Sequence, residues 1–300
     1  MMTGIHALRS CSLGLAGAVL IAGAAAAQEA GPTTRMVYVS ASDGEGEPVT
    51  DLTAADFRVR EDGEDREVVR AELATEPMRV GIVVDDNGGG FFQNGIIQLL
   101  TGLDGRAEFA VIAVNGSPTW VVDYTSEFGA LQGALSGVGR RAGRPGDGQV
   151  MEALMDLGQR LQERRVARPV VVVFTVGGGS TSIRASDVRN RLKPSGVLLH
   201  VVGTNLARDM APIYTGRVDD ADLQMNIMFD DGVTDTGGRV QEFTVAEGIE
   251  SAAERIVDEL LNQYVVSYTL PPGVEPHERL NVSVMRRGVS LRAPQRIPVN

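Results

Sequence analysis

The stretch VVDDNGGGFF, residues 83–92, sets Asp85, Asp86 and Asn87 at the end of an apolar run and just before three glycines. Carboxylate and amide oxygens are the donors a hard divalent cation takes, and Mg²⁺ asks for near-octahedral oxygen coordination at ~2.0–2.1 Å. After Asn87 the donors stop, because Gly88, Gly89 and Gly90 have no side chain. A second glycine run, Gly177, Gly178, Gly179 and Ser180, follows another apolar run. Backbone N–H groups in such loops, beside a helix N-terminus, can cradle an anion. Neither loop matches G-x-G-x-x-G or the P-loop, and Asp85 and Asp86 would repel an anion. The plainer use of these glycines is as turns.

Other reactive groups are scattered. His6 stands near the N-terminus, His200 lies inside the apolar run GVLLHVVG, and His277 is in a proline-bounded turn. No G-x-S-x-G, H-E-x-x-H or paired-carboxylate pattern occurs, so the sequence predicts no enzyme. A hydrolase would need Ser180 or Thr175 within hydrogen-bond reach of a general base. The acidic stretch DDADLQMNIMFDDGVTD (219–235) lacks EF-hand spacing. Its leading aspartates suit the start of a helix, where acids complement the dipole. Trp120, Phe91 and Phe92 read as packing residues, although Phe91 and Phe92 directly follow the first loop.

Two kinds of element must position these groups. Residues 33–76 alternate with period two, giving three strands in MVYVSAS, DFRVRED and REVVRAEL, with DGEGEP and EDGED as turns. From residue 77 to 262 the pattern changes. MRVGIVV, FAVIAV, PVVVVFTV and GVLLHVVG are apolar throughout, as strands buried on both faces of a parallel sheet must be. Between them FFQNGIIQLLTGL, FGALQGALSGV, QVMEALMDLGQRLQERR and AEGIESAAERIVDELLNQ carry apolar residues at three- and four-residue steps. Alternating strand and helix predict a doubly wound, mostly parallel α/β sheet. Both glycine loops then meet at its carboxyl edge, where such folds bind ligands. Residues 263–300 return to alternation in YVVSYTL, RLNVSVMRR and VSLRAPQRIPV. A three-stranded sheet leaves a face and two edges open, so the two terminal sets are expected to pack together as a small β-sandwich.

Composition limits the partners. A formal net charge of −11 argues against nucleic acid and anionic membrane surfaces. Residues 1–27 have a weakly basic start, an apolar stretch and an A-x-A end, as in a cleaved signal peptide, which implies a periplasmic or secreted chain without membrane insertion after cleavage. Cys11 is the only cysteine and would leave with that segment, removing disulfide, thiolate and cysteine–metal chemistry.

EPVTDLTAADFRVREDGEDREVV resembles the N-terminal segment of bacterial von Willebrand factor A-related proteins. VGIVVDD is similar to the first strand of a von Willebrand factor A domain. DTGGRVQEF and ELLNQYVVSYTLP resemble the close of the same family. The resemblance runs from about residue 35 to the C-terminus. It implies a von Willebrand factor A-like fold and, in general, a divalent cation on three loops that holds a partner's carboxylate. The family's D-x-S-x-S then falls on Asp85, Asn87 and Gly89. Its threonine falls on Gly148, beside Asp147, and its aspartate falls on Val176. Asp85 and Asn87 alone remain as candidate metal ligands, so the comparison predicts no bound metal and no cofactor. Asp86, Asp147 or Ser180 could rebuild a site with different geometry.

The expectation is an exported, non-catalytic protein-binding module that works without a metal. Its partner would meet Asp85, Asp86, Asn87, Phe91, Asp147 and the loop Gly177, Gly178, Gly179, Ser180. The alternatives are a cation-dependent adhesion module with a rebuilt site, and an anion-binding or hydrolytic enzyme that uses the glycine loops.

Overall fold

The computed structural model describes residues 31–86, 88–138, 149–164, 166–204, 220–243 and 247–299. The expected signal peptide, Asn87, Asp147 and Gly148 lie outside the described residues.

The chain opens with β1 (Thr33–Ser42), β2 (Phe57–Glu61) and β3 (Glu64–Leu73). Buried Phe57, Val59 and Glu61 alternate with exposed Arg58 and Arg60 along β2, the signature of a strand with one core face. Asp62 and Gly63 join β2 to β3 with φ of 52° and 85°, the two positive angles of a type I′ hairpin turn.

The α/β part follows as β4 (Met78–Asp85), α1 (Gln93–Gly102), β5 (Ala107–Asn115), β6 (Ser117–Thr125), α2 (Phe128–Val138), α3 (Val150–Arg164), β7 (Pro169–Thr175), α4 (Ala185–Leu192) and β8 (Leu198–Gly203). It continues through α5 (Asp220–Ile227), a π-helical turn (Met228–Gly232), α6 (Val233–Thr236), β9 (Val240–Glu242) and α7 (Glu247–Leu261). The sheet order is β6-β5-β4-β7-β8-β9, parallel except for β6, which runs antiparallel to β5. This is the doubly wound arrangement expected from the sequence. On one face α1, α2 and α7 bury Leu99, Leu131 and Ile256 against Val80, Ile82 and Val84. On the other, α3, α4 and the π turn bury Leu154, Val188 and Met228 against Val83, Val171 and Val173. Odd and even residues of each central strand thus serve opposite cores, which is why those strands read as unbroken apolar runs.

The chain ends in β10 (Tyr264–Leu270), β11 (Leu280–Val284) and β12 (Ser290–Arg292). Terminal strands from both ends of the chain interleave in one antiparallel sheet, β11-β2-β3-β10-β1-β12. The sheet rolls around a single core, so that Phe57 on β2 meets Tyr264 on β10 with ring centroids 5.5 Å apart. Its edge strand β11 is flanked by main-chain bonds from Leu280 N to Gln295 O (3.0 Å) and from Ile297 N to Glu278 O (2.9 Å). This closes an edge that would otherwise invite aggregation. The terminal strands therefore pack together, as expected, and do so by pairing across nearly the whole chain into one sheet, where two separate β appendages were the plainer alternative.

The two units are fastened by buried polar groups. Arg168 is 2% exposed and donates to Glu76 O, Leu260 O and Gln263 Oε1, with its guanidinium 5.2 Å from the Tyr38 ring centre. The TGG motif has a packing cause. A Cβ on Gly238 would sit 1.7 Å from Leu199 O, and one on Gly237 (φ +78°) would sit 2.6 Å from the Ala293–Pro294 peptide.

Candidate functional site

Parallel pairing of β4 with β7 puts Asp85 opposite Thr175 at the carboxyl edge. Thr175 donates its hydroxyl to Asp85 Oδ2 at 2.7 Å, and Thr175 Oγ1 accepts Gly177 N–H at 3.0 Å. Val176 N–H donates to Asp85 O at 3.0 Å. Asp85 is only 2% exposed and Thr175 is fully buried. Burial pushes the Asp85 carboxyl up to about 6, opposed by the Thr175 hydrogen bond and reinforced by neighbouring Asp86.

Asp86 has a different task. Its two carboxylate oxygens accept Gly88 N–H at 2.8 Å and Gly90 N–H at 2.9 Å, folding the glycine loop around the side chain. Gly88 (φ 75°) and Gly90 (φ 67°) take left-handed angles that a side chain would resist. At 4% exposure Asp86 presents little of itself to solvent. Both acids expected as partner contacts are thus turned inward, and they act on the surface only by shaping the loop.

The accessible part of the edge is apolar and small-residue. Phe91 is 40% exposed and packs edge-on against Phe92, with centroids 5.3 Å apart and an 88° interplanar angle. Phe92 is fully buried and reaches Phe174, 5.7 Å away, so the sheet core anchors the exposed ring. Gly178 and Ser180 are exposed in the second loop. Thr181 in that loop donates to Glu152 Oε1 at 2.9 Å, drawing in a carboxylate from the first turn of α3. Neither Thr175 nor Glu152 was singled out as a site residue from sequence for these roles, because each acquires its partner across the fold. Thr175 was legible only as a hydroxyl that needed a base.

The family's cation asks for several oxygens on three loops. Among the described positions, Asp85 offers one carboxylate already bonded to Thr175, Gly89 offers no side chain, and Val176 is a half-buried apolar residue packed against the core. Among the described residues no three His, Cys, Asp or Glu side chains converge in a way that could hold a metal. Asn87, Asp147 and Gly148, the other positions to which the resemblance points, lie outside the described residues.

The α/β part thus has a mostly parallel sheet with one antiparallel edge strand and Asp85 at its carboxyl edge, the arrangement the von Willebrand factor A resemblance implies. Among solved structures, a von Willebrand factor type A protein from Catenulispora acidiphila is similar with a TM-score of 0.48 and 10% identity, over 91% of this chain and 75% of that one. The pilus adhesin SpaC from Lactobacillus rhamnosus GG gives 0.48 and 10%, over 85% of this chain and 49% of its own, so this chain spans about half its length. BatB from Bacteroides thetaiotaomicron gives 0.41 and 13%, over 60% and 97%. Likeness at this level is of fold alone. No family model and no curated protein matches the chain.

Proposed function

We propose that this chain is an exported, non-catalytic protein-binding module whose partner docks at the carboxyl edge without a divalent cation. The observation that carries the reading is the pairing of an inward-turned Asp85 with an outward-turned Phe91 on one loop. An apolar ring on a rigid base, ringed by backbone and small polar groups, suits an anchor contact. Contact falls to Phe91, Gly178 and Ser180, with Asp85, Asp86, Gly177 and Gly179 holding the loops in shape. Asn87 and Asp147, also expected from the sequence as partner contacts, lie outside the described residues. Among the described residues no helix is long and apolar enough to cross a membrane.

The test is capture of partners from the native envelope fraction with and without chelator. Recovery should be unaffected by chelator and should fall at least about fivefold for Phe91→Ala, as truncation of an anchor worth ~1 kcal/mol or more implies. Loss of capture in chelator would favour a rebuilt cation site, and so would calorimetric heat with Mg²⁺, Mn²⁺ or Ca²⁺ that saturates at one equivalent. Unchanged capture by the Phe91 variant would move the interface elsewhere.

A hydrolytic reading has one specific point in its favour, because Thr175 lies within hydrogen-bond reach of a carboxylate whose pKa is raised. Full burial of Thr175 keeps substrate away from it, and its oxygen is also engaged by Gly177 N–H. The pair is better suited to fixing the loop than to attacking an acyl group.

A further inference from the structure

At the amino end of the parallel sheet, away from Asp85, a cavity of about 210 Å³ opens between α7, the approach to β9 and the rolled sheet. Three guanidinium groups line it: Arg239 just before β9, Arg255 on α7 and Arg292 on β12. One deeply buried carboxylate serves them. Glu259 on α7 is 6% exposed, in contact with Arg292 Nη2 and 3.5 Å from Arg239 Nε. Arg255 gives its Nε–H to Gln241 Oε1 at 3.0 Å, and among the described residues its terminal nitrogens meet no acceptor.

The hydrogen-bond accounting does not close. The Nε atoms of Arg239 and Arg292 are both buried and neither has a hydrogen-bond acceptor. A buried polar group left unpaired costs free energy, and a recurrent explanation for such orphans is a water or an ion that completes the set. The orphans here are these two cationic donors together with both carboxylate oxygens of Glu259, in a lining that carries three guanidinium groups and four carboxylates. Burial and the nearby Arg292 both hold the Arg239 pKa down. The exposed rim carries Glu45, Glu47 and Asp258 along with Arg255, whose charges water and salt screen, while Arg239 and Arg292 are half-buried beside the buried Glu259.

We infer that this cavity is a binding site for a small oxyanion, held on Arg239, Arg255 and Arg292 beside Glu259. Planar guanidinium forks match the geometry of phosphate, sulfate and carboxylate oxygens, and a cavity of this size admits such a group with its waters. The site draws on β9, α7 and β12, so the anion would bridge the α/β part and the rolled sheet.

Calorimetry and thermal unfolding with inorganic phosphate, sulfate and acetate, at matched ionic strength in chloride, test the inference. Saturable binding of phosphate or sulfate with a rise in Tm supports it, and saturation by acetate alone assigns the site to carboxylates. Arg255→Gln, at an exposed position, should fold and lose about tenfold or more in affinity, the worth of a hydrogen bond to a charged group. Glu259→Gln removes the internal competitor and should bind the anion more tightly than the parent, even where its own Tm is lower. A clamp with only a structural role would lower Tm in Glu259→Gln with no gain in anion affinity. That result overturns the inference, as does a response to all three anions no greater than that to chloride, or undiminished affinity in Arg255→Gln.

Discussion

Replacing Asp85 by asparagine isolates what the carboxyl edge does with its one inward acid. Burial holds the Asp85 carboxyl up at about 6, against an ordinary value of 3.8. At 1.36 kcal/mol per pKa unit, that difference is about 3 kcal/mol. Because the folded value lies above the unfolded one, the fold favours the protonated acid. The resulting stability is fully present below about pH 3.8 and is lost as pH rises through about 6. At pH 7.5 the native chain therefore carries an ionised buried group at a cost of about 3 kcal/mol. Asparagine stays neutral throughout and keeps an oxygen for the Thr175 hydroxyl. Asp85→Asn should then be more stable at pH 7.5 by up to about 3 kcal/mol, or roughly 6–12 °C in Tm for a chain of this size. The advantage should shrink to near zero by pH 4. Unfolding followed by circular dichroism across this pH range, in chelator and in millimolar Mg²⁺, reads both effects. A variant less stable than the parent at pH 7.5 in chelator would refute the reasoning, as would a difference that does not vary with pH. If Mg²⁺ stabilises the parent and not the variant, the edge holds a cation after all.

The buried His200 should act in the opposite sense. Burial lowers its pKa to about 4, opposed by Glu259 and assisted by Arg292 and Arg239. Its contribution is present above about pH 6.5 and is lost as pH falls through 4, up to about 3 kcal/mol, and His200→Leu should flatten that acid limb in a pH-dependent unfolding series. The adjacent phenylalanines should separate stability from binding. Phe92→Ala, in the core, should cost about 3–5 kcal/mol in chemical denaturation, and Phe91→Ala about 1 kcal/mol or less while losing partner capture. Gly238→Ala should cost more than about 3 kcal/mol, or fail to fold, because its new methyl would meet the Leu199 carbonyl; expression and Tm report it.

The parallel strands were legible because each feeds two cores. Val83 faces one helix layer and Val84 the other, leaving no polar position to interrupt the run. The strand β6 escaped the same reading. At the sheet edge SPTWVVDYT is half-buried along its length, its pairing with β5 shifts register twice, and Pro118 is tolerated only because an edge strand can forgo a ladder bond. β9 is three residues long, too short for alternation to register. Union of the terminal strands followed from the open faces each set would leave. Their interleaving did not, since β10 chooses β1 and β3 as neighbours by matching side chains across the whole intervening α/β part of the chain. At the site, the loops and Phe91 were legible from position alone. The inward turn of Asp85 and Asp86 was not, because it depends on Thr175 and on the loop's own N–H groups. The guanidinium cluster was also invisible, assembled as it is from Arg239, Arg255, Glu259 and Arg292 on three elements.

Two departures from best stability fall on the same loop. A buried acid stands at Asp85, where a neutral amide would serve the fold better, and a bare aromatic ring stands at Phe91, where a polar side chain would serve solubility better. Sequences tend to break local rules together at functional positions and compensate elsewhere. A loop kept only as a turn needs the glycines and the Asp86 cap, and it has both. It needs neither an ionisable side chain at Asp85, where an amide would accept the same Thr175 hydrogen bond, nor an exposed ring at Phe91. Their coincidence on the rim of a well-packed sheet is the physical reason to look for a partner there.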